Sequence, residues 1–300
     1  MDKNEIEAIL KKANNQLESL KGQSLDLIEV SKAKTVDYGA ELAKVISKLS
    51  PLLGNMIEYS TIDALNKVGW HYHGRWIRQD PGFPDAQFCS DRGGVEPGVE
   101  IKAWFPFSTE MTARFRDSQT IFADDHIEVA IMVWVPEFIL WGKPKIIDAL
   151  IVKAGTVAKA RDDHYFDPPN YLVIEPEDTS DRTANLQQTN TAGYVFQGTP
   201  EEFKEAKIEA RRLGLAKYGY STDADYQKRI NELRSKYKYR LDTNYAKIDR
   251  IDHPEIEAFK AKINNTVYLG KTIKQWTKSL FEKEADLSAL ADLLDNYVED

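Results

Sequence analysis

The stretch FPDAQFCSDRGGVEPGVEIKAWF, from Phe83 to Phe105, decides the fold and carries the candidate chemistry. Its last seven residues, Val99 to Phe105, are predicted to form a strand, and Ala86 to Cys89 a shorter one. The loop between them, SDRGGVEPG, contains three glycines and a proline, which is typical of a turn-rich connection. We therefore predict that the two strands pair as a hairpin across this loop.

Side chains alternate faces along a strand, so Glu100 and Lys102 share one face. Asp85, directly after Pro84, comes beside them if the hairpin forms. Magnesium prefers one or two carboxylates completed by water and phosphate oxygens, and a nearby ammonium can hold or deprotonate the attacking water. This spacing predicts a Mg²⁺ site for phosphodiester hydrolysis, with the backbone carbonyl of Ile101 as a further metal ligand.

Alternatives exist for each of these groups. Asp80, Asp91 and Glu96 are rival carboxylates in the same loops, and we interpret them as solvated turn acids. Glu100 and Lys102 could also form a structural ion pair that has no catalytic role.

The flanking sequence predicts helices and strands in alternation. Helical spacing of apolar residues and short apolar runs give the following elements: helices over Ile6 to Leu20, Leu42 to Leu49, Leu53 to Val68 and Thr109 to Ile121, and strands over Trp70 to Ile77, Ile127 to Val135, Ile147 to Ala154 and Tyr171 to Ile174. This order predicts an α/β fold with a mixed central β-sheet flanked by helices. We expect a core over residues 1–199 and a helical region over 200–300 that clamps DNA or forms a dimer interface.

The pair Pro84-Asp85, fourteen intervening residues and Glu100-Ile101-Lys102 resemble the motif of the PD-(D/E)xK nucleases, and the chain is similar to type II restriction endonucleases. The resemblance covers residues 53 to about 135. It implies magnesium dependence, cleavage that leaves a 5′-phosphate, and an acid on the preceding helix. Glu58 occupies that place as a further catalytic residue, and Arg116 or Gln119 could supply the polar group that often follows the motif.

Two segments are candidates for binding double-stranded DNA. The net charge is −8, but Tyr226 to Arg250 contains eight basic and three acidic residues, and this segment includes Arg234, Lys236 and Lys238. The tyrosines interleaved there could stack on DNA or face the core. A second, polar segment contains side chains suited to base edges in the major groove: Arg182, Asn185, Gln187, Gln188 and Asn190.

Other functional classes lack their sequence signatures. No apolar run is long enough for a membrane helix, and the charged start MDKNEIEAILKK is unlike a secretory signal, so a cytoplasmic location is expected. The single cysteine, Cys89, excludes an internal disulfide, and we read the pair His71 and His73 as strand packing because a third ligand is missing. P-loop, GxSxG, HExxH and GxGxxG motifs do not occur.

These observations predict a type II restriction endonuclease that cuts double-stranded DNA at a specific short site. Palindromic sites are read by twofold-symmetric proteins, so a homodimer is expected. The alternatives are a DNA repair or junction-resolving nuclease of the same superfamily, or a noncatalytic DNA-binding or assembly protein.

Overall fold

The structure is a computed structural model that describes residues 1–70, 73–80, 82–91, 93–107, 125–166, 173–174, 193–196, 198–215, 224–241, 253–282 and 286–296. The chain divides into two compact units. The first comprises Met1–Met111, Arg116–Lys159 and Asp252–Asp300, and the second comprises Thr112–Phe115 and Ala160–Ile251. The predicted division of the chain at residue 199 and the functional role of residues 200–300 stay predictions.

Two N-terminal helices begin the first unit. Helix α1 (Lys3–Glu18) starts with a capping box, in which the Asp2 side chain accepts from the Glu5 backbone and the Glu5 side chain accepts from the Asp2 backbone. Helix α2 (Val36–Asn66) is capped by the side chain of Thr35. Both caps satisfy backbone N–H groups that have no partner within the helix.

The prediction of separate helices over Leu42 to Leu49 and Leu53 to Val68 is wrong, because α2 continues through Pro51. A proline inside a helix costs about 3 kcal/mol. Each large aliphatic side chain that is buried contributes about 1.5–3 kcal/mol. Because α2 buries several such side chains before and after Pro51, their burial outweighs the cost of the proline. The buried aliphatic side chains on the two sides of the proline are Leu42, Ala43, Ile46, Leu53, Ile57, Ile62 and Leu65.

A five-stranded mixed sheet forms the centre of the first unit, in the order in which its strands occur along the chain. The strands are β1 (Gly74–Arg78), β2 (Ala86–Ser90), β3 (Gly98–Trp104), β4 (Ile127–Pro136) and β5 (Pro144–Lys153). Only β3 and β4 pair in parallel, and the other neighbours are antiparallel. The predicted mixed α/β fold is confirmed at this level, and its likeness to a restriction-endonuclease core stays a prediction.

Strand β4 lies at the hydrophobic centre. All ten of its residues are buried, as the apolar run from Ile127 to Val135 predicted. The predicted hairpin is also present, since Ala86 faces Val99 and Gln87 faces Gly98 in an antiparallel register. A side chain at Gly98 would collide with the ring of Pro84, so only glycine lets the two strands approach here.

The C-terminal residues of the first unit are mostly helical. Their elements are α6 (Pro254–Asn265), β9 (Val267–Tyr268), β10 (Lys271–Thr272), α7 (Ile273–Trp276), a π-helical turn (Thr277–Phe281) and α8 (Leu287–Asn296). Helix α8 packs on α2, where Leu290 lies against Gly39. Helix α6 packs on the sheet, with the rings of Phe259 and Trp104 centred 6.3 Å apart.

The second unit has a separate small core. Its elements are β6 (Val173–Ile174), β7 (Gly193–Phe196), α4 (Pro200–Arg212), α5 (Ala224–Lys236) and β8 (Tyr239–Leu241), and α3 (Ala154–Phe166) leads into it from the first unit. Strand β7 pairs in parallel with β6 and antiparallel with β8. The core residues are Ala210, Leu213, Leu215, Ile230 and Leu233. Across the parts of the chain that the structure describes, no helix has the length and apolar character needed to cross a membrane.

Candidate active site

The β2–β3 hairpin brings the two predicted carboxylates together through their own backbones. The N–H of Asp85 donates to Oε2 of Glu100 at 3.1 Å, and the N–H of Ile101 donates to Oδ2 of Asp85 at 2.7 Å. Each carboxylate is therefore held by the strand that carries the other one. This reciprocal bonding fixes their positions more firmly than side-chain packing alone, because backbone atoms in a sheet have little freedom to move.

Lys102 completes the cluster. Its ammonium forms an ion pair with Oε1 of Glu100 and lies 3.7 Å from Oδ2 of Asp85. The exposed fractions of the three side chains are 23% for Lys102, 9% for Glu100 and 17% for Asp85. One positive and two negative groups thus share a small, mostly buried volume with an opening to solvent.

Burial raises the pKa of the Glu100 carboxyl above its ordinary value. The charge of Lys102 opposes this effect, whereas the neighbouring Asp85 carboxylate reinforces it. Ionised Glu100 is therefore only partly compensated by the groups around it. A cation placed between the two acids would favour the ionised form.

Glu58 lies on α2, as expected, and its side chain binds Arg78. Its Oε1 accepts from Nε of Arg78 at 2.8 Å, and Nη1 of Arg78 lies 2.8 Å from Oδ2 of Asp80. Burial raises the pKa of Glu58, the Arg78 hydrogen bond lowers it, and the charges of Asp85 and Lys102 act on it as well. Glu58 is thus within electrostatic reach of the cluster, while its nearest cation is Arg78.

Sequence reasoning missed Arg78, although a signal was available. Arg78 is the last residue of β1, and Ala86 is its partner on β2, directly after Asp85. A basic residue at the end of an aromatic strand, next to the strand that carries Pro84-Asp85, pointed to this position. The rival acids Asp80 and Asp91 are both exposed, and Asp80 is paired with Arg78.

The donor set suits magnesium better than a softer metal. Among the described residues, no group of three or more His, Cys, Asp and Glu side chains is arranged to hold a metal ion. Magnesium does not need such a group, since it takes one or two carboxylates and retains several waters. Asp85 and Glu100 meet that requirement, and the Ile101 carbonyl lies in the chain between Glu100 and Lys102. His71 is outside the described residues, so the histidine pair is not defined.

A second acid–lysine pair lies on the opposite side of the same sheet. Glu128 on β4 is opposite Val99 on β3, so its side chain projects away from the face that carries Glu100. Oε1 of Glu128 lies 3.4 Å from Nζ of Lys153, and Oε2 is buried without a hydrogen-bond partner among the residues that the structure describes. This pair resembles Glu100 and Lys102 in composition, and Lys153 also lies 3.8 Å from Oδ2 of Asp125. Asp125 is 51% exposed, however, whereas Asp85 is 17% exposed and is bonded to the strand of Glu100.

No family model, curated protein or solved structure matches this chain. The geometry of its own residues is therefore the basis for any functional interpretation.

The predicted DNA-contacting residues fall into two groups. Those of the polar segment lie outside the described residues: Arg182, Asn185, Gln187, Gln188 and Asn190. Arg116 and Gln119 also lie outside them. The basic group lies in the second unit, where Lys238 is exposed and Nη1 of Arg234 donates to Asn231 at 3.2 Å.

Lys236 is already paired with acids of its own unit. Its ammonium forms an ion pair with Glu209 and lies 3.2 Å from Oε1 of Glu232. The tyrosines at 226, 237 and 239 pack against the core of the second unit. Between the two alternatives for these tyrosines, the structure therefore favours core packing over stacking on DNA.

Proposed function

We propose that this protein is a magnesium-dependent type II restriction endonuclease that cleaves double-stranded DNA at a short specific site and leaves a 5′-phosphate. The observation that carries the proposal is the convergence of Asp85, Glu100 and Lys102 on one hairpin, with the two acids tied to each other's backbones. A strand that carries an acid and a lysine is common. What distinguishes this pair from Glu128 and Lys153 is that its second carboxylate, Asp85, is hydrogen-bonded to the strand that carries the pair, whereas Asp125 beside Lys153 is 51% exposed.

Asp85, Glu100 and the carbonyl of Ile101 would hold the magnesium ion, which supplies Lewis acidity toward a phosphate oxygen and lowers the pKa of a bound water. The acids contribute hard oxygen ligands at positions fixed by the hairpin. The pKa of Glu100 is raised because its charge is only partly compensated, and this leaves it suited to a cation.

Lys102 would act on the substrate. Its ammonium is held between the two carboxylates, and it is the most exposed of the three side chains. From that position it would hold or deprotonate the attacking water and stabilise the negative charge that develops on the phosphate. Contacts to DNA would come from the polar segment at 182–190, outside the described residues, and from the basic group that contains Lys238.

The second candidate is a noncatalytic DNA-binding or assembly protein in which Glu100 and Lys102 are a structural ion pair. Their direct contact is the observation that favours it. A repair or junction-resolving nuclease of the same superfamily would use the same three residues. Cleavage of plasmid or phage DNA separates a restriction enzyme, which gives discrete bands, from a nonspecific nuclease, which gives a smear, and from a binding protein, which gives neither.

The decisive experiment is Lys102→Ala, compared with Lys153→Ala as a matched control. Both lysines pair with a buried glutamate of the same sheet and lie within 4 Å of a second carboxylate, but the one beside Lys102 accepts a backbone hydrogen bond from the strand of Glu100, whereas Asp125 beside Lys153 is 51% exposed. Binding to a cognate duplex is measured by gel shift in calcium, and cleavage by single turnover in magnesium. We expect Lys102→Ala to retain binding and to cut at least about a thousand-fold more slowly, while Lys153→Ala cuts like the wild type.

Three results would count against this assignment. If Lys102→Ala cut at the wild-type rate, the cluster would not be catalytic and the nuclease proposal would fail. If it lost binding and thermal stability together while Lys153→Ala kept both, Lys102 would be a structural ion-pair partner. Full cleavage in the presence of a chelator would exclude the metal.

A further inference from the structure

Helix α2 carries a second apolar face that nothing in the described chain covers. Four of its large apolar side chains are exposed at a constant spacing of seven residues: Tyr38 at 57%, Val45 at 48%, Leu52 at 54% and Tyr59 at 63%. We call these four residues the heptad stripe. The core-facing side of the same helix carries a different set, including Ile46 and Ile57, both fully buried.

The spacing of the heptad stripe specifies a helical partner. Residues seven apart lie two helical turns apart on nearly the same side, and a strict repeat of seven is the pattern by which one helix packs along another. From Tyr38 to Tyr59 the stripe is about 32 Å long at 1.5 Å per residue. Leu49 and Met56 are half-buried and lie in the turns between its members.

The stripe is also self-complementary when the helix is reversed. Its residues form pairs that are equidistant from a point between Lys48 and Leu49: Tyr38 with Tyr59, and Val45 with Leu52. One pair of exposed charged residues beyond its two ends has the same symmetry, since Lys34 precedes the helix and Asp63, which pairs with Lys67 of its own chain, lies near its end. With an antiparallel copy, tyrosine rings would therefore lie opposite tyrosine rings and aliphatic side chains opposite aliphatic side chains. The ammonium of Lys34 would lie opposite the carboxylate of Asp63.

We propose that a second copy of this chain docks antiparallel on the heptad stripe, about a twofold axis near Lys48 and Leu49. Such an interface is isologous, because each copy presents the same surface and each Lys34 meets the partner copy's Asp63. A parallel arrangement would instead place like charges together at both ends. The antiparallel order also aligns the helix dipoles favourably.

The size of the surface fits the core of a dimer interface. A stripe about 32 Å long and about 10 Å wide covers roughly 300 Å², whereas a stable dimer buries about 800 Å² per copy. The polar flank would supply much of the rest, as expected for the rim of an interface. Exposed polar residues along that flank are Glu41, Lys48 and Asn55.

The first test compares Val45→Arg with Val267→Arg by sedimentation of the full chain over a wide range of concentration. Val267 lies outside the stripe and is 67% exposed, so the two variants make the same change at exposed valines. We expect Val45→Arg to raise the dimer dissociation constant at least about thirty-fold and Val267→Arg to leave it unchanged. Helix content, measured by circular dichroism, checks that the variants fold. Arginine has a higher helix propensity than valine, so the substitution itself does not disfavour α2.

The second test reverses the end charges and determines the orientation. Lys34→Asp or Asp63→Lys alone should weaken the dimer about five-fold, and the double variant should restore wild-type affinity. Asp63→Lys also breaks the surface ion pair between Asp63 and Lys67. This pair is lost in the single and in the double variant, so its loss cannot explain a restored dimer affinity in the double variant.

Each alternative outcome counts against the proposal. A monomeric wild type at every concentration would exclude self-association. A dimer insensitive to Val45→Arg would place the interface elsewhere, and one weakened by Val45→Arg but insensitive to the charge variants would be parallel. Because the assay needs neither DNA nor metal, its result is independent of whether the protein is a nuclease.

Discussion

Two acid–cation clusters in this protein have similar compositions and opposite electrostatics. In the first unit, Glu100 is paired with Lys102, and its side chain is 9% exposed. In the second unit, Glu209 is paired with Arg212 and Lys236, and its side chain is 15% exposed. Yet the pKa of Glu100 is raised, whereas that of Glu209 is lowered to about 2.

The difference comes from the partners of each acid. Both oxygens of Glu209 accept from Arg212 at 2.8 Å, and Lys236 adds a second cation. In the described part of the chain, Glu100 has a single cationic partner, Lys102, and it lies beside a second acid, Asp85, from whose backbone N–H it accepts a hydrogen bond. Hydrogen bonds to cations therefore dominate at Glu209, and burial dominates at Glu100.

This contrast separates a structural cluster from a candidate functional one. The charge of Glu209 is fully matched by neighbours on α4 and α5, so the cluster needs no further partner. The two acids of the hairpin share one lysine, which leaves an excess of negative charge in a mostly buried place. Sites that bind a metal or perform catalysis commonly show such incomplete compensation.

The largest expected effect is on cleavage. If the proposed function holds, Glu100→Ala should slow single-turnover cleavage in magnesium by at least about a thousand-fold, because it removes one of the two carboxylates proposed to hold the metal. Glu209→Ala should leave the rate within about two-fold of the wild type, since that acid is matched within its own unit. Equal rates for the two variants would remove the functional distinction between the clusters.

A smaller effect is expected on the salt dependence of DNA binding. Lys238→Ala should flatten the slope of log affinity against log salt by about 0.9, the value for one lost phosphate contact. Lys236→Ala should leave that slope unchanged, because its ammonium is engaged by Glu209 and Glu232. If Lys236→Ala also flattened the salt-dependence slope, DNA would displace Glu209 and Glu232 from Lys236. If neither variant changed the slope, the phosphate contacts would lie on other residues.

The smallest effects are on stability, and they differ in sign. Since the folded pKa of Glu209 is about 2 and its ordinary value is 4.5, its ionised form stabilises the fold above pH 4.5 and this contribution is lost as the pH falls toward 2. Glu209→Gln should therefore lower the unfolding midpoint at pH 7 and match the wild type near pH 2.

The folded pKa of Glu100 is above 4.5, so ionisation costs stability above that pKa, and the cost disappears as the pH falls to 4.5. Without metal, Glu100→Gln should raise the unfolding midpoint at pH 7 and should match the wild type in acid. Thermal scans of both variants at neutral and acid pH provide the measurement. If the unfolding midpoints of the two variants shifted in the same direction at pH 7, the charges of Glu209 and Glu100 would not differ in how well they are compensated.

Much of the first unit was predictable because its signals are local. The apolar run of β4, the alternation along β3 and the glycine-rich loop each determine an element from neighbouring residues. The placement of Glu100 and Lys102 on one face followed from strand geometry, and Asp85 followed from the hairpin. The break expected at Pro51 was wrong, because the burial of residues on both sides of a proline depends on distant parts of the chain.

By itself, the sequence determined the mixed α/β class, the β2–β3 hairpin and the identity of the three clustered residues, since each depends on periodicity and short-range connection. Only the tertiary structure decided which charges are matched. It paired Glu58 with Arg78 and Lys236 with Glu209, and it left the heptad stripe of α2 exposed. Ion pairs and burial depend on residues far apart in the chain, and no local pattern specifies which of them meet.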